Sequence, residues 1–339
     1  MASELSIGFG DIRADMKRLK PKTVLLQLPS GLKRRAEEIA KTIEKEYGCS
    51  VIISGDPCFG ACDIAEGDMG AADLVVQAGH SQMPSVICSK PMLFLPVDIK
   101  FDLSKIVRSA TPLLKSPVGL LATAQHLRQL DESRKLLEDE GFEVKVGKGS
   151  GRMAADGQVL GCDYSSAHDV SGSVSSFLIL GGGRFHAIGL KLSTGKPVII
   201  VDPERSAAHA EDIDVESFKR RRHAVIVSIS NAESIGIIVS SKQGQERMAL
   251  AKRLLKELRG TGRKGHLVLM DNVTPDALQD LGFEAYVSTA CPRIALDDNE
   301  RFGRPVATPM ELMIALKKAD WDDYRIDEWS YAISIQGER

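Results

Sequence analysis

The sequence predicts an α/β protein whose sheets are parallel. Short apolar segments rich in Val, Ile and Leu recur along the 339 residues, and amphipathic segments with helical spacing separate them. Strands of this composition are typical of parallel sheets that helices cover on both faces. The alternation starts again near residues 106 and 214, which indicates three units of ordinary domain size. We therefore expect three Rossmann-like domains, at 1–105, 106–213 and 214–339.

The first unit combines four predicted strands with one long helix. The helix is predicted over 31–48, in GLKRRAEEIAKTIEKEYG, because its apolar residues follow a helical spacing and a glycine ends it. Each strand is a short apolar run bounded by residues typical of turns. The four strands are TVLLQLP (23–29), CSVIISGDP (49–57), ADLVVQAGH (72–80) and MLFLPVD (92–98).

The second and third units repeat this alternation with different residues. The second has a helix in RQLDESRKLLEDEGF (128–142) and strands in PVGLLATAQH (117–126), EVKVG (143–147), SFLILGGG (176–183) and KPVIIVDP (196–203). The third has a strand, a turn and a helix in GIIVSSKQGQERMALAKRLLKELRG (236–260), and further strands in HAVIVSIS (223–230), GHLVLMDNV (265–273) and FEAYVSTACP (283–292). We expect the tail, 321–339, to pack back on the body or across an oligomer interface.

Composition narrows the functional classes. The net charge is −2, so no bulk basic character indicates direct binding of nucleic acid. No apolar run approaches the ~20 residues that span a membrane, and the N-terminus lacks the apolar core of a signal peptide. We therefore expect a cytoplasmic protein. In a reducing compartment its six cysteines are structural, metal-binding or catalytic rather than a disulfide framework.

Three cysteines share one local setting, with one in each unit. They are Cys62 in GAC, Cys162 in LGC and Cys291 in TAC, each after a small residue and in or beside a loop that follows a predicted strand. Ligands of open parallel sheets lie at the carboxyl ends of the strands, so the three thiols converge if the domains pack around an axis. Zinc prefers four protein ligands, or three and a water in catalytic sites. We interpret three converging thiols as a 4Fe–4S site with one open iron.

A simpler interpretation holds for the other cysteines, and it stays open for any of the six. A single cysteine is most often a small buried apolar residue, which we expect of Cys49 and Cys88. Cys58 forms a CxxxC pair with Cys62, and one such pair is a weak indication of a zinc site. We expect Cys58 to pack within its turn.

Four stretches together resemble one enzyme family. They are SGDPCFGACDIAEGD, LGCDYSSA, GGGRFHAIGLKLSTGKPV and STACPRIALDD, and the resemblance extends from Leu25 to Asp298. The sequence is similar to the archaeal enzymes of the first step of diphthamide biosynthesis, the 2-(3-amino-3-carboxypropyl)histidine synthases. It departs from the family pattern at Cys58, where we expect Thr or Ser in most relatives.

The resemblance implies a fold, a cofactor and a reaction. It implies a homodimer of chains with three αβ domains in pseudo-threefold arrangement around a 4Fe–4S cluster, which Cys62, Cys162 and Cys291 hold. An electron from the cluster, supplied by an electron donor, cleaves S-adenosylmethionine. The resulting 3-amino-3-carboxypropyl radical attacks C2 of a histidine of translation elongation factor 2, and methylthioadenosine is released. The CxxxCxxC motif of the larger radical enzymes is absent from the sequence.

Candidate residues for binding S-adenosylmethionine lie at predicted strand ends. Its carboxylate and amine need a cation or backbone N–H groups together with an acceptor. The candidates are Lys242 and Gln243 in SSKQGQ, Arg293 beside Cys291, and Gln27, Asp56 and His80 in the first unit. The glycine-rich GGGRFHAIG does not fit G-x-G-x-x-G, and we expect its His186 to be structural. We assign no acid–base catalyst.

Two other functions remain compatible with the sequence. A quinolinate-synthase-like enzyme would use the open iron of a three-cysteine cluster as a Lewis acid on a small molecule, and would form no methylthioadenosine. A non-catalytic binding or scaffold protein would carry a structural metal that is inert to added ligand.

Overall fold

A computed structural model describes residues 5–65, 67, 70, 72–99, 101–202 and 210–329. Within these residues the chain forms three sheets built mainly of parallel strands, with helices packed on them, and a small antiparallel pair. The predicted α/β class is confirmed. No helix of the described residues is long and apolar enough to cross a membrane.

The first sheet has four parallel strands in the order β3-β2-β4-β5. This part of the chain contains β1 (Leu5–Ile7), α1 (Phe9–Leu19), β2 (Thr23–Gln27), α2 (Ala36–Tyr47), β3 (Ser50–Ile53), β4 (Leu74–Ala78), β5 (Met92–Leu95) and β6 (Val97–Ile99). The antiparallel pair is β1 with β6. The helix predicted over 31–48 begins with a 3₁₀ helix, Ser30–Arg35, and continues as α2. It ends at Gly48, whose φ of 66° is a conformation that glycine adopts without strain.

The second sheet has five strands in the order β11-β10-β9-β7-β8, of which only the edge strand β11 is antiparallel to its neighbour. Its elements are α3 (Leu103–Ala110), β7 (Val118–Ala122), α4 (Leu130–Asp139), β8 (Val144–Lys145), α5 (Ser165–Ser171), β9 (Ser176–Leu180), α6 (Arg184–Thr194), β10 (Val198–Val201) and β11 (Ala210–Asp212). The predicted boundary between residues 105 and 106 falls inside α3. Because the buried side of α3 packs with β7, β9 and β10, this helix belongs with the second unit.

The third sheet has four parallel strands in the order β13-β12-β14-β15. Its elements are α7 (Glu216–Asn231), β12 (Ser234–Ser240), α8 (Met248–Arg259), β13 (Lys264–Met270), α9 (Pro275–Leu281), β14 (Ala285–Ser288), α10 (Pro292–Leu296), β15 (Val306–Ala307) and α11 (Pro309–Ala315). The apolar face of α8 that carries Leu250, Leu254 and Leu258 is buried, as its spacing predicts. The division of the chain into three domains otherwise stays a prediction.

The strand predicted over 223–230 is wrong, because these residues form the second half of α7. Val225, Ile226 and Ile229 are buried at helical spacing, whereas Val227 between them is 47% exposed. The β-branched residues of HAVIVSIS favour a strand locally, but packing of one helical face against the third sheet outweighs that preference.

The C-terminal segment, here residues 321–329, packs back on the body, so this part of the prediction for the tail is confirmed. Ile326 is buried in the core of the second sheet. Asp327 forms a buried ion pair with Arg247 of the third unit, with 2.5 Å between Asp327 Oδ2 and Arg247 Nη2. Glu328 accepts a hydrogen bond from the backbone N–H of Tyr164 in the second unit. The segment therefore ties the second unit to the third. Residues 330–339 lie outside the described residues.

Candidate functional site

The three cysteines singled out by their setting line one cavity. Cys62 lies in the loop after β3, Cys162 in the loop between β8 and α5, and Cys291 directly precedes α10 after β14. All three are half-buried and border a cavity of about 170 Å³. Each cysteine lies in a segment that follows a strand of its own sheet, and such segments begin at the carboxyl ends of parallel strands, where open sheets bind ligands. The structure thus brings the three residues together, while their role as cluster ligands stays a prediction.

The cavity disfavours thiolates that have no positive charge beside them. Burial of the thiol raises the pKa of Cys162 to about 11, and it also raises the pKa of Cys62. Burial, and then the charges of the other two cysteines, raise the pKa of Cys291 well above its ordinary value. Metal binding requires thiolates, so the positive charge of an iron core would add to that of the nearby Arg152 and offset the burial of the three thiolates. Among the described residues, no three side chains of His, Cys, Asp or Glu close around a single metal ion.

Two buried glutamines hold the backbone of the Cys62 loop, here residues 58–63, through hydrogen bonds. Gln27 donates its side-chain N–H to the carbonyl of Asp63 at 2.8 Å, and Gln77 donates to the same carbonyl at 3.2 Å. Cys58 is 3% exposed, and burial raises its pKa to about 12. Its thiol lies 3.7 Å from His80 Nδ1 and does not border the cavity, so Cys58 packs within the turn as expected.

The third unit contacts the Cys62 loop through its turn at 243–245. A methyl group in place of the Gly244 hydrogen would lie 2.6 Å from both Cα and Cβ of Cys62. The next residue, Gln245, donates its side-chain N–H to Cys62 Sγ at 3.4 Å. The absence of a side chain at Gly244 therefore permits an approach that positions both the loop and its thiol.

Lys242 already has a carboxylate partner. Its ammonium lies 2.5 Å from Asp63 Oδ1 in an ion pair whose side chains are 6% and 4% exposed, and it also donates to Asn272 Oδ1 at 3.0 Å. The pair joins the first unit to the third directly beside Cys62. Binding of a substrate carboxylate by Lys242 stays a prediction, and the structure gives this residue the additional task of joining two units.

Removing one partner of this pair should strongly destabilise the protein. Lys242→Ala leaves the Asp63 carboxylate buried without its partner, and we expect a loss of about 3–5 kcal/mol in the free energy of unfolding. Denaturant titration of the metal-free chain measures it. The control is Arg134→Ala, which breaks the exposed pair with Glu138 on α4 and should cost less than about 1 kcal/mol. Equal losses in the two variants would contradict the assignment.

The six residues proposed to bind S-adenosylmethionine all border one of two adjoining cavities. Gln27, Asp56, Lys242 and Gln243 line a second cavity of about 290 Å³, which shares Cys62 with the first. His80 and Arg293 line the first cavity. The structure thus brings these residues to the two cavities beside the three cysteines, and their binding of S-adenosylmethionine stays a prediction.

Several of these side chains are engaged within the protein. Burial of the His80 ring lowers its pKa to about 4, so His80 is neutral at neutral pH. Gln243 accepts a hydrogen bond from the backbone N–H of Ile87 at 3.0 Å. Arg293 forms an ion pair with Asp297 at 2.6 Å, and its side chain is 53% exposed. Asp56 is exposed and lines the second cavity.

Sequence reasoning missed Arg152 and Trp329. Arg152 is 7% exposed, lines the first cavity and directs Nη2 towards Cys162 Sγ at 3.9 Å. Its guanidinium lies 4.0 Å from the centre of the Trp329 ring, and the backbone N–H of Trp329 donates to the carbonyl of Cys162 at 2.7 Å. The one local signal was a basic residue within the glycine-rich GKGSGRM, ten positions before Cys162.

Three sheets that direct one cysteine each into a shared cavity define an α/β protein with a three-thiol site. A family model of diphthamide synthesis proteins matches residues 28–325, and the chain belongs to this family. The 2-(3-amino-3-carboxypropyl)histidine synthase of Pyrococcus horikoshii is 39% identical over 323 residues, which cover 94% of this chain and 92% of that protein. Subunit 1 of the enzyme of the same name from Nematostella vectensis is 30% identical, over 94% of this chain and 69% of the relative.

A solved structure agrees with these relatives. The crystal structure of Dph2 from Pyrococcus horikoshii with a 4Fe–4S cluster superposes with a TM-score of 0.87 at 37% identity, over 96% of this chain and 94% of that one. The family resemblance expected from the sequence motifs is confirmed, and so is the enzyme class: the chain is an enzyme of diphthamide synthesis.

Proposed function

We propose that the chain cleaves S-adenosylmethionine and transfers its 3-amino-3-carboxypropyl group to C2 of a histidine of translation elongation factor 2, with release of methylthioadenosine. One observation carries the proposal: three sheets each place a cysteine at the wall of the same cavity. The relatives are named for their product, a 2-(3-amino-3-carboxypropyl)histidine, and the solved Dph2 structure holds a 4Fe–4S cluster. Both observations support the proposed reaction.

We further propose that Cys62, Cys162 and Cys291 hold such a cluster. Each thiolate of a cluster binds a different iron, so the three sulfurs need not meet at one point. The donor set fits, since three thiols with raised pKa values border one cavity and gain a positive partner in the iron. Three ligands leave one iron open for a substrate. When bound, the cluster supplies the electron that breaks the bond between sulfur and the aminocarboxypropyl carbon.

The residues around the cavities bind and orient the cosubstrate. Arg293 is a candidate partner for the methionine carboxylate, because it borders the cavity that the three thiols border and its side chain is 53% exposed, although it also pairs with Asp297. Asp56, which lines the second cavity, is a candidate acceptor for the amine. His80 and His186 are neutral at neutral pH, since burial lowers the pKa of each to about 4. The imidazoles therefore add no positive charge that would repel the sulfonium.

The protein substrate, the cellular location, the oligomeric state and the electron donor are part of the same proposal. The acceptor is a histidine on a protein, and Phe59, 65% exposed at the wall of the first cavity, is positioned to contact that partner. The enzyme acts in the cytoplasm as a homodimer, and an electron donor reduces the cluster before each turnover.

The nucleoside product tests the proposed reaction. Anaerobically reconstituted protein is reduced with dithionite and mixed with S-adenosylmethionine, and the nucleosides are separated by chromatography. We expect methylthioadenosine in the reduced sample and none without dithionite. With elongation factor 2 present, mass spectrometry should find one aminocarboxypropyl group on a histidine.

The other products separate the alternatives. Deoxyadenosine would show cleavage on the adenosyl side and would refute the proposed reaction. A cluster without any turnover would favour the Lewis-acid enzyme if added small-molecule ligands perturb the cluster spectrum. It would favour a structural metal if they do not.

A further inference from the structure

Arg152 differs from the other buried cations of the described chain. Four arginine and lysine side chains are buried there: Arg152, Arg222, Lys242 and Arg247. Arg222 pairs with Glu311, Lys242 with Asp63 and Arg247 with Asp327. Within the described residues Arg152 has no carboxylate partner, and its Nε is buried without a hydrogen bond. A buried charge without a partner is costly, so the fold leaves this guanidinium in need of a negative charge.

The cavity identifies where that negative charge belongs. Nη2 of Arg152 lies 3.9 Å from Cys162 Sγ, and the same nitrogen donates to the carbonyl of Gly244 at 3.2 Å. Arg152 and Arg293 are the charged residues among the described cavity lining, which contains no Asp or Glu. Arg293 is exposed and neutralised by Asp297, whereas Arg152 is enclosed. Among the described lining residues, the side chains that could carry a negative charge opposite Arg152 are those of the three cysteines.

Its orientation is fixed by two contacts from distant parts of the chain. The guanidinium stacks on the indole of Trp329 at 4.0 Å, and the carbonyl of Gly244 holds one of its nitrogens. An arginine that is stacked and hydrogen-bonded retains its direction without a carboxylate. The charge is thus preorganised beside Cys162 before any cofactor arrives.

We propose that Arg152 is a positioning residue that sets the reduction potential of the cluster held by Cys62, Cys162 and Cys291. This inference rests on the proposed function, because it requires that cluster. Reduction adds one negative charge to a group that already carries three thiolate ligands. A fixed cation beside one of them stabilises the reduced state more than the oxidised state and raises the potential. Arg152 thereby makes the cluster reducible by a cellular donor.

Redox titration followed by electron paramagnetic resonance tests the proposal on reconstituted protein without S-adenosylmethionine. In Arg152→Gln and Arg152→Met the equilibrium constant for reduction should fall at least tenfold, which is about 59 mV for one electron. Arg152→Lys keeps the charge, so its reduction potential should lie closer to that of the wild-type protein than to those of the neutral variants. The matched control is Arg134→Gln, which removes the same charge from the exposed surface of α4 and should leave the potential unchanged.

Each outcome decides the inference. Neutral variants whose clusters retain the original potential overturn it, whether activity falls or not. An unchanged potential with a raised dissociation constant for S-adenosylmethionine would instead assign Arg152 to the substrate carboxylate. If Arg152→Lys assembles a cluster and the neutral variants do not, the charge is needed to assemble the cluster rather than to set its potential, which overturns the inference. If none of the Arg152 variants assembles a cluster, Arg152 has only a structural role, which overturns the inference. A separate result would show that the proposed function is wrong: wild-type enzyme that forms no methylthioadenosine.

Discussion

Replacing Cys62, Cys162 or Cys291 with alanine should abolish the cluster and the formation of methylthioadenosine. Each of the three thiols comes from a different sheet, so no neighbouring cysteine at the cavity can replace a lost one. We expect activity to fall more than about 100-fold, beyond the loss typical of removing a residue that only supports a metal ligand. Iron and sulfide content, the absorption spectrum and the nucleoside product are measured on the same preparation.

Cys58→Ala is the matched control for these three variants. Cys58 lies four residues from Cys62 in the same turn, but it is buried away from the cavity. The control should keep its iron and its product and lose only a small part of its stability. A control that loses the cluster while Cys62→Ala keeps it would exchange the roles of the two residues. Retention of a full cluster by Cys162→Ala or Cys291→Ala would refute the three-sheet site.

Gly244→Ala should both destabilise the protein and prevent cluster binding, although Gly244 has no side chain that could bind the cluster. The added methyl group would lie 2.6 Å from the Cα and Cβ of Cys62 and 2.7 Å from its carbonyl oxygen. Two of these atoms are backbone, so relief requires the turn and the Cys62 loop to separate. We expect a loss of about 3 kcal/mol in the free energy of unfolding, the upper end of typical overpacking costs, and loss of the cluster. Denaturant titration and iron content measure the two effects.

Gly10→Ala makes the same chemical change at a harmless position. Gly10 lies in α1, and a methyl group there would meet no atom within 4 Å. Alanine is the better helix former by roughly 0.5–1 kcal/mol, so this control should be slightly stabilised and should bind iron normally. If Gly244→Ala binds iron as well as Gly10→Ala does, the close approach of the turn does not position Cys62.

The sequence was sufficient for features that depend on local pattern. Apolar runs located the strands of the three sheets except the short edge strands β11 and β15, and their carboxyl ends located the three cysteines at one cavity. The same reasoning failed over 223–230, where β-branched residues occupy a helix because only one helical face meets the third sheet. Intrinsic preference is a weak guide where burial decides.

The residues that support the site could not be found in this way. Arg152 contacts Gly244, which lies 92 positions away, and Gln245 contacts Cys62 across 183 positions. Neither residue stands out in its own stretch of sequence, since an arginine among glycines and a glutamine in a turn are ordinarily solvated. Their significance arises from packing between units, and periodicity along the chain does not report such packing.

Because the C-terminal segment contacts residues of the site, the site can be completed only late in the synthesis of the chain. Trp329 closes on Cys162 and Arg152, and Asp327 holds Arg247. A ribosome releases the chain from its N-terminus, so Cys62 and Cys162 emerge long before the residues that fix their surroundings. A nascent chain therefore displays its thiols without the cavity that organises them. We therefore expect the complete site to form only after the C-terminal segment, residues 321–329, has been synthesised and has docked.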